Sequence, residues 1–135
     1  KGGEVRDNVD RLTKSVSLRP HDIDRPILLF SGGNQQKAII CRWLMARSEV
    51  MIFDEPTRGI DVGAKGEIYQ LIDGLAAEGR SIIVVSSELP EILRLADRVL
   101  VMRRGAAETI LDRADISEET IMRFAISGNQ NQRAA

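Results

Sequence analysis

The chain reads as an α/β protein built on a mostly parallel sheet, and three observations predict this. The runs VMIFD (50–54) and SIIVVSS (81–87) are apolar at nearly every position, the pattern of strands covered on both faces. Helical segments at 62–78 and 88–96 follow them and another apolar run comes next, so strand and helix alternate as parallel sheets require. The 135 residues are 43% hydrophobic and 29% charged, the balance of a soluble globular domain or part of one. A chain of this size buries about two-thirds of its unfolded surface.

Each element has its own reason. In EVRDNVDRLTKSV (4–16), Val5, Val9, Leu12 and Val16 fall on one helical face. SLRPHDIDRPILLF, with Pro20 and Pro26, is a connector, and its lone His21 reads as a surface or turn residue. A helix is expected over 32–47 and a buried strand over 50–54. EPTRGID is a turn, and Asp61 is placed to cap a helix over 62–78 whose inner face holds Ile68, Leu71, Ile72 and Leu75. Gly79 stands where a left-handed residue closes a helix. Pro90 fits the first turn of helix 88–96, RVLVMRRGAAETIL reads as two strands around Gly105, and a last helix runs over 117–127 from Ser117. That helix buries Ile121, Phe124 and Ala125, and the tail 128–135 is expected to be disordered.

Composition narrows the partners. A net charge of −1 without a basic stripe, and only three Phe, one Tyr and one Trp, point to no nucleic-acid partner. The single Cys41 sits in an apolar helical pattern and reads as a buried reduced thiol. No apolar run reaches the ~20 residues that span a bilayer, so a membrane connection is expected to run through a partner.

Two motifs carry chemistry. VMIFDEP delivers Asp54 and Glu55 to the carboxyl end of a strand, where open α/β sheets bind ligands. The bland reading is a solvated turn. SGGNQQK puts Ser31, Gly32 and Gly33 at a helix start, whose free N–H groups and dipole favour an anion. Its bland reading is an ordinary serine N-cap. The two motifs stand in order with VVSSELPE, each on the element it needs.

Together they resemble the ABC ATPases. FSGGNQQKAIICRWLMA is similar to the signature motif of that family, VMIFDEP to its Walker B strand, TRGID to its D-loop, and VVSSELPEIL lies where the switch-histidine loop belongs. The Asn after Ser-Gly-Gly, PTRGIDVGAK and SSELPEIL resemble more narrowly the second nucleotide-binding half of ATPase subunits of bacterial ribose-, xylose- and galactoside-type importers. The resemblance implies a partial P-loop NTPase domain with ATP and Mg²⁺ as ligands. Ser31, Gly32 and Gly33, with Gln35 nearby, would meet the γ-phosphate of ATP held by the opposing domain. Asp54 would serve Mg²⁺, Glu55 would be the general base, and Asp61 would lie at the interface between the domains. Ser87 occupies the switch position, where serine cannot do the work of histidine, so hydrolysis at this half's own site is in doubt.

The resemblance also implies a phosphate loop upstream of Lys1. GLAAEGRS (74–81) has the glycine spacing of such a loop but carries Arg80 for Lys and runs from helix into strand, presenting carbonyls instead of N–H groups. The expectation is a piece cut from a longer protein, with 1–46 ending a helical subdomain and 47–127 belonging to the α/β core. Alone it should bind ATP poorly, be inactive and self-associate through apolar surface. Expected partners are a second nucleotide-binding domain, a membrane permease and, indirectly, a sugar-binding protein, at the cytoplasmic face of a bacterial membrane. The alternatives are a stand-alone module that lends its signature helix to a partner ATPase, and a DNA-maintenance ATPase.

Overall fold

A computed structural model describes residues 2–46 and 48–128; the rest of the expected tail, 129–135, lies outside the described residues. The chain forms two compact units, Lys1–Val85 and Ser86–Ala135.

The first unit begins with α1 (Gly2–Ser15), followed by the connector with a short 3₁₀ turn at Ile27–Leu29. Val16 and Leu18 at the end of α1 are buried, whereas Val5, expected on the same inner face, is exposed. The cause is position: Val5 lies in the first turns, more than two turns before the buried end. Helix α2 (Gly32–Met45) buries Ile40, Cys41 and Leu44 at helical spacing. Strand β1 (Val50–Asp54) then leads through the turn 55–61 into α3 (Val62–Ala77), which buries Ile68, Ile72 and Leu75. The Asp61 carboxylate accepts the Ala64 N–H at 3.0 Å, the expected cap. Gly79 (φ +89°) turns the chain out of α3 into β2 (Ser81–Val85). The segment 74–81 therefore ends a helix and enters a strand, as its sequence predicts.

Strands β1 and β2 pair in parallel, Val50 opposite Ser81 through Asp54 opposite Val85. Neither is buried on both faces. Met51 and Phe53 point inward, while Val50, Ile52, Ile83 and Val85 form an exposed apolar face, Ile52 at 68% and Ile83 at 50%. Apolarity at every position reports what strands are suited to bury; the described residues cover only one face of this pair.

In the second unit, α4 (Leu89–Leu95) starts with Pro90 in its first turn and precedes the hairpin β3 (Arg98–Arg103) and β4 (Ala106–Asp112). Arg104 and Gly105 both have positive φ, so this two-residue turn is of the mirror-image kind that matches strand twist. So short a link permits only antiparallel pairing, and β3 pairs with β4 in that sense, Arg98 opposite Asp112. Helix α5 (Glu118–Ser127) is capped by Ser117, whose Oγ accepts the Thr120 N–H at 3.1 Å. Ile121 lies in a core with Val99, Val101 and Leu111, against which Phe124 and Ala125 pack.

Candidate functional site

The site is built at the start of α2. Ser31 holds the N-cap position in extended conformation (φ −61°, ψ 157°), yet its side chain makes no cap bond. The ordinary N-cap reading is therefore set aside. Its Oγ lies 2.9 Å from Asn34 Nδ2, and Asn34 Oδ1 accepts the Arg19 backbone N–H at 2.9 Å. A backbone N–H can only donate, which fixes the amide end facing Arg19 as the oxygen and the other as the NH₂. Ser31 Oγ is then the acceptor, and its own O–H is directed elsewhere. The first-turn N–H groups have no partner within their helix, so this helix start offers backbone N–H groups and the Ser31 hydroxyl as donors.

The two glycines do different things. A Cβ on Gly33 would stand 2.8 Å from Ala64 Cβ and 3.7 Å from Ile60 Cγ2, so Gly33 is required where α2 crosses the start of α3. A Cβ on Gly32 would meet only the Gly59 carbonyl at 3.8 Å, an ordinary contact. The internal packing demands the glycine at 33 and makes no such demand at 32. This crossing also sets the end of the turn 55–61 against the start of α2, with the Gly59 carbonyl facing Gly32 and Ile60 facing Gly33. Gln35 is turned away: its Nε2 donates to the Phe30 carbonyl at 2.9 Å and steadies the approach to the helix.

Farther along α2, Lys37 is only 4% exposed; its ammonium donates to Glu67 Oε2 at 2.5 Å and to the Ser17 carbonyl at 3.1 Å. This joins α2 to α3 and to the end of α1. The connector is fastened to α1 as well, by Arg6 to Asp24 and by His21 Nε2 at 2.7 Å from Asp10 Oδ1. Lys14 and then His21 hold the Asp10 carboxyl below its usual range.

At the carboxyl end of β1 the Asp54 side chain is exposed and Glu55 is half-buried. Glu55 has φ +47°, a left-handed conformation that costs a non-glycine residue about 1–3 kcal/mol, and its N–H donates to the Val85 carbonyl at 2.8 Å. Such strain gathers where a side chain must be aimed. Among the described residues no group of three or more His, Cys, Asp and Glu could cage a metal. A lone exposed carboxylate nevertheless suits Mg²⁺, which takes one or two carboxylates and fills its shell with water and phosphate oxygens. Ser87 is exposed and belongs to the second unit.

Residues 4–58 match the family model described as ABC transporter. A protein of Agrobacterium fabrum named for ribose/galactose/methyl galactoside import ATP binding is 53% identical over 115 residues, 85% of this chain and 23% of its own length. The chain belongs to the ABC transporter ATPase family. The arabinose import ATP-binding protein AraG of Vibrio parahaemolyticus is 48% identical over 130 residues, 96% of this chain and 26% of its own. The chain thus spans about a quarter of the length of the curated relatives it matches. A nucleotide-free ATP-binding cassette from an ABC transporter superposes with a TM-score of 0.77 at 24% identity, over 89% of this chain and 46% of that one. The α/β architecture is thus that of ABC ATPase cassettes.

For an ABC ATPase segment, the structure sets Ser31, Gly32 and Gly33 at the start of α2, Asp61 at the start of α3, which α2 crosses at Gly33, and Asp54 and Glu55 at the end of β1. Sequence reasoning missed Asn34 as a partner of Ser31, and it missed the Gly33–Ala64 crossing. The spacing Ser31-x-x-Asn34 was the available signal, since a polar residue three after an N-cap serine commonly bonds back to it.

Proposed function

We propose that this chain is part of the ATP-hydrolysing subunit of an ABC importer for a monosaccharide, at the cytoplasmic face of a bacterial plasma membrane. Its residues 1–46 would end the helical subdomain and 47–127 contribute to the α/β core. The observation that carries the reading is Ser31, an N-cap serine that leaves its own helix uncapped and keeps its hydroxyl proton for an outside acceptor. The relatives, named for sugar-import ATP binding, support it.

In this reading Ser31 and the α2 N–H groups face the γ-phosphate of ATP bound by a second nucleotide-binding domain. Gly32 admits the phosphate to the backbone, and Gly33 fixes the crossing that holds Asp61 at the domain interface. Donors held in place stabilise the charge of a transferring phosphoryl group without moving during reaction. For the ATP on its own domain, Glu55, aimed by its strained backbone, would accept the proton of the water that attacks the γ-phosphorus as the bond to the β-phosphate oxygen breaks. Asp54 would hold Mg²⁺, which when bound neutralises phosphate charge. Ser87 in the switch position offers a hydroxyl but no cation, so this half's own site works slowly or not at all. Closure and reopening of the paired domains would drive a permease that receives its sugar from a binding protein.

The test is ATP hydrolysis by the full-length polypeptide assembled with its permease. Sugar-stimulated hydrolysis that falls at least about 100-fold with Ser31→Ala supports the reading. Full activity in that variant refutes the role of Ser31, and a wild-type assembly without ATPase activity refutes the function.

A further inference from the structure

The Asn34 amide is committed at both ends, to the Arg19 N–H and to Ser31 Oγ, each at 2.9 Å. An N-cap serine without such a partner turns its oxygen toward the N–H groups two or three residues on, capping its own helix. That rotamer would withdraw the hydroxyl and also consume an N–H that the site needs. The NH₂ of Asn34 supplies Ser31 Oγ with an alternative donor, which holds the hydroxyl out and leaves the first-turn N–H groups uncapped.

We propose that Asn34 is a positioning residue for phosphoryl transfer, acting through Ser31 by keeping it from capping α2; this rests on the reading of Ser31 as a γ-phosphate donor. The amide can do so because its far end is anchored outside the helix. Arg19 lies in the connector, which the Arg6–Asp24 and Asp10–His21 contacts fasten to α1 and the Lys37 bond to Ser17 ties to α2. Displacement of the connector would release Asn34 and let Ser31 swing inward, so the donor depends on a segment 12 residues upstream of it.

The experiment measures steady-state ATP hydrolysis by the full-length polypeptide with its permease, for Ser31→Ala, Asn34→Ala, the double variant and Asn34→Asp. Ser31→Ala should lower kcat about 100-fold, the loss typical of one positioned donor. Asn34→Ala should lower kcat about ten-fold with KM within about two-fold, because the affected ATP is bound by the other domain. The double variant should be no slower than Ser31→Ala alone, since Asn34 acts only through that hydroxyl. Asn34→Asp keeps the acceptor for Arg19 but replaces the donor by a second acceptor, drawing the Ser31 proton inward, and should lose as much as Ser31→Ala. Equal factors lost on Asn34→Ala with and without Ser31 would show a merely structural residue and overturn the proposal, as would wild-type kcat in Asn34→Asp. Ser31→Ala separates the two failures. If it runs about 100-fold slow while the Asn34 variants run at wild-type rate, only this inference falls; if the wild-type assembly hydrolyses nothing, the function falls and takes the inference with it.

Discussion

Gly33→Ala should destabilise the chain while Gly32→Ala should not, although the two glycines are adjacent in one motif. At position 33 the new methyl would lie 2.8 Å from Ala64 Cβ, closer than two carbons can stand, and both atoms are fixed to helix backbones. Overpacking of this kind costs about 1–3 kcal/mol. Replacing a helical glycine by alanine returns about 0.5–1 kcal/mol of backbone entropy and propensity. The net expectation for Gly33→Ala is a loss of about 1–2 kcal/mol. At position 32 the nearest atom to the methyl is 3.8 Å away, so only the gain remains, about 0.5 kcal/mol. Urea unfolding of residues 1–135, followed by far-ultraviolet circular dichroism, reads both. Ala64→Gly in the Gly33→Ala background removes the clashing methyl, and a double-mutant cycle should return a favourable coupling of about 1 kcal/mol or more. Equal midpoints for the two alanine variants, or no coupling to Ala64, would refute the assignment of Gly33 to packing.

The Lys37–Glu67 pair should respond asymmetrically. Lys37→Met leaves Glu67, whose side chain is 61% exposed, to rehydrate at a cost below about 1.5 kcal/mol, while Glu67→Ala strands a buried ammonium and costs about 3 kcal/mol by the same unfolding assay. Equal losses would contradict the burial argument. Cys41 is buried near the Leu12 carbonyl, and burial pushes its thiol up to about 11. Because the fold favours the neutral thiol, this contribution to stability is complete below the thiol's unfolded value and is lost as pH rises toward 11. Thiol-reagent labelling at pH 8 should therefore be slow until denaturant is added, and prompt labelling of the native chain would count against it. The exposed face of Val50, Ile52, Ile83 and Val85 should make residues 1–135 self-associate, and Ile52→Lys with Ile83→Lys should shift sedimentation toward monomer. A wild-type chain monomeric at about 100 μM, well above the ~1 μM midpoint of moderate association, would refute this.

Elements whose signals are local were legible in the sequence. Asp61 and Ser117 cap the helices they precede, Gly79 is left-handed, and Arg104-Gly105 turns the hairpin, because each depends on the backbone within a few residues. The strand faces were not legible. VMIFD and SIIVV are suited to burial on both sides, and which side is covered depends on what packs there. Ser31 shows the same limit within one residue. A serine before a helix caps it by default, and only the Asn34 amide, anchored on Arg19 in the connector, redirects it. The helix start at Ser-Gly-Gly was readable, but the different packing of Gly32 and Gly33 was not, since it is set by Ala64 on another helix.

The most direct test of the central claim, that α2 meets a phosphate carried by another domain, is calorimetric titration of residues 1–135 with Mg²⁺-ATP. The account predicts no saturable binding up to about 1 mM, the weak limit worth about −4 kcal/mol, because Ser31 and the α2 N–H groups face only the end of a nucleotide held elsewhere. A single site of micromolar affinity on this chain alone would contradict it.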